Sequence, residues 1–223
     1  MTAQRISSRN LLREAFATVG SIYVPLLTIN SPSLIFVAIN SLGKLGSAGV
    51  AFNIIYSVVV IPLLSGAMIF YTYRSFTRNK VTVGEAFSQA NRRLLHLILV
   101  YIMFMVLLLA GFMALIIPGL YVSYRLIFSL YATVIDNSSA LDSLSSSWEL
   151  TKGRWWLVFR AIILITFVVA GPIILISLLI DPTGKSLASQ LAGNLLGFLA
   201  APLMNVYLVL LYLRLRDSAA TIQ

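Results

Sequence analysis

Cysteine is absent from this 223-residue chain, and histidine occurs once, at His96. The first absence excludes disulfides, thiol nucleophiles and cysteine metal sites, and it leaves no signature of a redox compartment. The second excludes a multi-histidine metal centre within one chain. Charge is scarce as well: Asp, Glu, Lys and Arg make up 10% of the residues, where a soluble domain carries about a quarter. The seven acids fall in ones and twos near the ends of apolar stretches, so no carboxylate pair stands ready for acid–base chemistry. The serine-rich run 143–147 has no histidine near it. "DPTGKS" (181–186) lacks the glycine spacing of a phosphate-binding loop and has no strand before it, so it reads as a turn. The expectation is a protein without catalytic residues, metal or cofactor.

Apolar residues fill the space, at 59% of the chain with a mean hydropathy of +0.94. A spanning helix needs about twenty predominantly apolar residues. Six windows qualify, at 22–42, 49–73, 94–117, 120–136, 155–180 and 187–213. The first is interrupted by Asn30-Ser31-Pro32, and the fourth is short and contains Arg125. "SLGKLGSAG" (41–49), "PG" (118–119) and "DPTGKS" are short Gly/Pro turns that would fold the windows into three helical hairpins.

The net charge of +9 is distributed unevenly. Arg5, Arg9 and Arg13 precede the first window, and Arg74, Arg78, Lys80, Arg92 and Arg93 follow the second. Lys152, Arg154 and Arg160 open the fifth, and Arg214 and Arg216 close the sixth, while the opposite turns hold only Lys44 and Lys185. By the positive-inside bias, both termini and the long connections are expected in the cytoplasm. The excess is then topological, and no nucleic-acid partner is expected. The N-terminal arginines imitate a leader, but Glu14 and Pro25 interrupt it and no small-x-small cleavage site follows, so it is read as retained.

The long connections carry a recurring element. "LLREAF" (11–16), "TVGEAF" (82–87) and "SALDSL" (139–144) each set an acid, a small residue and a large apolar one in sequence, ahead of two spans. They predict a single membrane domain over 1–223 with three internal repeats, 8–74, 82–136 and 138–216, each an interfacial amphipathic helix followed by a hairpin. Thr82–Glu85 and Ser139–Asp142 read as capping boxes. In "LDSLSSSWELTKGRWW" (141–156), a helix over 139–152 would place Leu141, Leu144 and Trp148 on its apolar face and Asp142, Ser146 and Glu149 on another. Trp148, Lys152, Arg154, Trp155 and Trp156 are therefore the expected interfacial set, meeting anionic headgroups on the cytoplasmic face.

Polar residues within the windows are the other candidates. Arg125 is a functional-site hypothesis by position alone, set against a structural role in which it snorkels or pairs with Asp136 or a backbone carbonyl. Asn53, Asn194 and Asn205, beside Tyr56 and Tyr207, would line a polar path or join helices by hydrogen bonds. Prolines at or within most windows invite comparison with mitochondrial carriers, but the residues after Pro25, Pro118 and Pro172 lack the carriers' charged signature.

"NLLREAF", "VTVGEAF", "IIPGLYVSYRLIFSLYATVID" (116–136) and "SSALDSLSSSWELTKGRWW" (138–156) together resemble the YciC-like proteins. They are also similar to the membrane domain attached to some bacterial glycerophosphodiester phosphodiesterases. That resemblance implies a six-span bundle with no established activity, since the phosphodiesterase chemistry belongs to a soluble barrel for which this chain has no room. The overall expectation is an all-α polytopic bundle of six spans in a bacterial plasma membrane. It would be non-enzymatic and would organise lipid or a membrane-protein partner through its cytoplasmic-face helices. The alternative is a small transporter or channel with a polar path near Arg125. Because the chain has no cysteine, single substitutions test the layout cleanly. Lys44→Cys and Lys185→Cys should react with an impermeant maleimide on intact cells, and Lys152→Cys only after lysis; labelling of position 152 from outside would reverse the topology.

Overall fold

The structure is a computed structural model that describes residues 7–41, 46–77, 81–184 and 186–220. The described residues are helical throughout, with no strand. In order they form α1 (Ser8–Asn30), α2 (Pro32–Ser41), α3 (Gly46–Ile55), a π-helical turn (Tyr56–Val60), α4 (Ile61–Phe76), α5 (Val83–Arg92) and α6 (Leu94–Ala114). Then follow α7 (Ile116–Leu126), α8 (Ser129–Ile135), α9 (Ala140–Thr151), α10 (Trp155–Ile180) and α11 (Leu187–Ala220). Five helical stretches are long and apolar enough to cross a membrane: Ser8–Asn30, Gly49–Phe76, Leu94–Ala114, Trp155–Ile180 and Leu187–Ala219. That is the length and composition of a membrane protein.

Two of the expected windows are built differently. No boundary separates an interfacial helix from the first span, because α1 runs unbroken from residue 8. Its buried residues Leu11, Ala15, Ile22, Leu26 and Ile29 follow one helical face past Pro25. The chain turns instead at Ser31, where Pro32 opens α2. The fourth window is split: α7 and α8 are each too short to cross alone. The "PG" pair is not the turn before it. Leu115 is extended, and Pro118-Gly119 lies in the first turn of α7, where proline's missing N–H has no partner to lose. Gly119 is required there for another reason. A Cβ at this position would lie 2.6 Å from the Phe112 ring and 2.9 Å from the Phe112 backbone nitrogen, so α6 and α7 meet backbone to backbone.

Two of the expected connecting helices form, with their caps. Thr82 Oγ1 accepts the Glu85 N–H at 3.2 Å, and the Glu85 carboxylate accepts the Thr82 N–H at 2.8 Å. Ser139 Oγ accepts the Asp142 N–H at 3.3 Å, but the Asp142 carboxylate takes the Ser139 hydroxyl at 2.6 Å in place of a backbone N–H. In all three repeated hexapeptides the small residue, Ala15, Ala86 or Ser143, is fully buried.

Packing is concentrated at one end. Arg214 donates to both carboxylate oxygens of Glu14, at 3.1 and 3.0 Å, so α1 begins where α11 ends. Arg216 donates to Asp136 at 2.7 Å, which brings the end of α8 to the same level. Arg154 donates to the carbonyls of Leu215 and Ser218, each at 3.3 Å, and to the Ser218 hydroxyl. A cation on the last carbonyls of a helix also meets its negative pole. The half-exposed ion pairs contribute at most about 1 kcal/mol each. What holds this terminal end is the core around α8, where Tyr131, Ala132, Thr133, Val134 and Ile135 are all buried, together with Val206–Tyr212 and Leu215 of α11. A helix apolar on every side belongs inside. Farther along, no residue of 101–118 or 166–180 is buried.

At that far end α10 and α11 are joined by a turn in which the Asp181 carboxylate accepts the Thr183 hydroxyl at 2.7 Å and the N–H groups of Thr183 and Ser186 at 2.9 and 2.7 Å. These donors favour the ionised form and hold the Asp181 carboxyl well below the usual carboxylate range. Lys185, Lys44, Arg5, Arg78 and Lys80 lie outside the described residues, as does the middle of the 41–49 turn.

Candidate functional site

The split of the fourth window is where the chain's polar side chains gather. Breaking the helix between Leu126 and Ser129 frees carbonyls at the end of α7 and an N–H at the start of α8. Ser147 of α9 satisfies both sides. Its hydroxyl donates to the Arg125 carbonyl at 2.8 Å, and its oxygen accepts the Phe128 N–H at 3.2 Å. Thr151 donates to the same carbonyl at 3.2 Å, and Ser129 to the Leu126 carbonyl at 2.6 Å. One turn along, Thr133 donates to the Ser143 hydroxyl at 2.8 Å. The seating face of α9 is therefore Ala140, Ser143, Leu144, Ser147 and Thr151, about a quarter-turn from the expected Leu141–Leu144–Trp148 face. Leu141 is 67% exposed. Ser147 fixes α9 to the break and Ser143 meets α8, while Ser145 and Ser146 stay exposed.

Arg125 itself is 3% exposed. Its guanidinium lies over the Trp148 ring, 4.3 Å from the centroid, with the Tyr121 ring at 5.7 Å. Cation–π contacts of this kind reach about 2 kcal/mol when desolvated. Its Nε has no hydrogen-bond partner, and Asp136, about three helical turns along the chain, is held by Arg216 and Tyr212. Arg125 thus ties α7 to α9 twice, by its carbonyl and by its side chain.

Beside this node α7 and α10 enclose a cleft of about 540 Å³, walled by Tyr121, Tyr124, Trp155, Trp156, Phe159, Ile117, Pro118 and Leu120. The rings contact one another edge to face, Tyr121 with Trp155 at 6.1 Å and Tyr124 with Phe159 at 5.0 Å, the favoured geometry for aromatic pairs. Trp148 joins through Tyr121, at 5.9 Å. The expected interfacial set is therefore brought together in its three tryptophans but not in its bases. Lys152 is exposed and pairs with Glu149 at 3.4 Å, while Arg154 turns away onto α11. Arg160, absent from the expected set, is the exposed base whose guanidinium lies 6.0 Å from the Trp156 ring. The i, i+4 spacing from Trp156 is the sequence signal for it.

The asparagines divide. Asn205 lines a cavity of about 420 Å³ between α1, α4, α6, α8 and α11, and its side-chain oxygen accepts the Thr72 hydroxyl at 2.8 Å. Asn194 lines an adjoining cavity of about 380 Å³, and the two share Asn30, Ser65 and Met68. Asn53 and Arg125 line neither.

Residues 40–215 match the family described as "Domain of unknown function (DUF7847)". The chain belongs to that family. The DUF7847 match takes in the helix break, the aromatic cleft and most of both cavities, and it leaves out α1 and nearly all of α2. It names neither the YciC-like proteins nor a phosphodiesterase-attached domain. No curated protein and no solved structure matches the chain.

Ser146 and Ser147 offer an internal comparison. Ser147→Ala leaves the Phe128 N–H and part of the Arg125 carbonyl unsatisfied and should cost about 1–3 kcal/mol. Ser146→Ala, on the exposed face, should be neutral within about 0.5 kcal/mol. Thermal unfolding of the two variants in detergent checks the difference.

Proposed function

We propose that this DUF7847 chain is a six-span, non-enzymatic protein of a bacterial inner membrane, akin to the YciC-like proteins, that organises anionic lipid at its cytoplasmic rim. Parity supports the sixth crossing. The Glu14–Arg214 contact keeps the start of α1 and the end of α11 at one end, so the number of crossings is even. Five long helices then need α7 and α8 as a broken sixth. The base asymmetry favours the cytoplasm for the terminal end.

The observation that carries the lipid reading is the aromatic cleft whose Trp156 ring lies beside Arg160. Its lining is wholly apolar, its volume suits part of a ligand the size of a lipid chain, and Trp155 and Trp156 stand at the first turn of α10, where an interface belongs. An acyl chain would lie between α7 and α10, with its phosphate beside the exposed Arg160. Each base near an anionic surface contributes about 1 kcal/mol. A membrane-protein partner would dock on the same rim. Arg125, enclosed by Trp148 and Tyr121, lends the transporter reading no path.

The three tryptophans of the chain are all at this site, so intrinsic fluorescence reports on it alone. In bilayers, brominated phosphatidylglycerol should quench more strongly than brominated phosphatidylcholine at equal mole fraction. Arg160→Gln should lower that selectivity by roughly fivefold, the equivalent of one base. Equal quenching by both lipids in the unaltered protein would overturn the reading.

A further inference from the structure

The two cavities that meet at Ser65 are neither a packing fault nor part of the rim. Among the described residues they are lined without a single Asp, Glu, Lys, Arg or His, and the larger is overwhelmingly apolar. Their polar groups are few and placed. The Thr72 hydroxyl takes one side of the Asn205 amide, which turns the amide nitrogen elsewhere. The side-chain amides of Asn30 and Asn194 have no protein partner among the described residues, and none of these atoms is a buried orphan. Asn30 borders both cavities, and Asn194 borders the smaller one from an exposed position on α11. Asn194 and Asn205 are eleven residues apart on α11, about 16 Å along its axis, or half the thickness of a hydrocarbon layer.

The helices around this space are irregular where they border it. The π-helical turn at Tyr56–Val60 contributes Tyr56 to the smaller cavity, and such turns inside helices occur frequently at functional sites. Asn30 precedes the break at Ser31-Pro32, and Ile127 and Ser129 border the larger cavity at the α7–α8 break.

We propose that these joined cavities bind an uncharged long-chain amphiphile, a hydrocarbon chain ending in a hydroxyl or ester group, drawn from the surrounding bilayer. The chain would fill the apolar lining and the polar end would meet the asparagine amides. A charged ligand is disfavoured, since no counter-charge lines the space and an ion there is desolvated without a partner. A small polar solute would leave most of the apolar lining without contacts. This inference rests on the membrane reading and not on the lipid selectivity of the rim.

The test uses the full chain in phosphatidylcholine nanodiscs, with a diazirine-bearing long-chain alcohol and the matching fatty acid kept ionised at alkaline pH. The alcohol should label residues bordering Ser65 and Asn205, unlabelled alcohol should compete, and the ionised acid should label them at least tenfold less. Asn205→Leu should reduce specific labelling by roughly tenfold, the loss of one buried hydrogen bond. Ser65→Leu, which adds bulk at a wall common to both cavities, should do the same. Tryptophan emission, from residues that line neither cavity, establishes that each variant is folded. Equal labelling by alcohol and acid, adducts confined to the outward faces of α6 and α10, or labelling unchanged in a folded Ser65→Leu protein would each overturn the proposal. Quenching at the rim is read separately, so either result stands without the other.

Discussion

A seven-residue helix buried on nearly every side has to find partners for its ends outside itself. In α8 that requirement is acute, because its interior position shuts out water and each buried unsatisfied group costs several kcal/mol. Ser147 meets it at the start of α8, with Thr151 and Ser129 completing the adjacent end of α7. At the other end, Asn137 adopts a left-handed conformation with φ 56°, a common helix stop. Arg93 donates to its carbonyl at 2.9 Å, and Asp136 receives Arg216. The connecting helix α9, the start of α6 and the end of α11 are thus all committed to holding one short central post.

The uneven packing follows from that arrangement. Helices are gripped where they touch α8 and its neighbours, and α6 and α10 leave the core after their first few turns. Apolar surface turned to lipid carries no hydrophobic penalty, so nothing forces the far halves together. Glycine permits close approach there between α6 and α7, at Gly111 and Gly119. The larger cavity draws on both parts, bordered by Ser129, Leu130 and Tyr131 of the buried post and by Tyr101, Phe104 and Ala201 of the more exposed helices.

Hydropathy made the long helices legible, and the capping box at Thr82 was legible to the atom, because both are local properties. The burial of α8 was not. "SLYATVI" is equally apolar whether protein or lipid surrounds it, and the break before it depends on Ser147, nineteen residues away. The orientation of α9 was legible only in part. Leu141, Leu144 and Trp148 mark its apolar face, but a hydropathy pattern carries no sign of the free backbone at 125–128 that Ser147 and Thr151 meet. Arg125 stood out as a charge within an apolar window, but the Trp148 and Tyr121 rings that enclose its guanidinium come together only in the fold. Asn194 and Asn205 were recognisable as polar groups in apolar windows, yet only the fold shows that they border adjoining spaces while Asn53 does not.

The account turns on what lies between α7 and α10 when the protein is in a bilayer. The direct measurement is a cryo-electron microscopy reconstruction of the full chain in nanodiscs containing phosphatidylglycerol. The predicted result is chain-shaped density along Tyr121, Tyr124 and Trp156, ending in a headgroup beside Arg160. A cleft closed by the collapse of Trp155 and Trp156 onto α7, with no lipid density at that level, would contradict it.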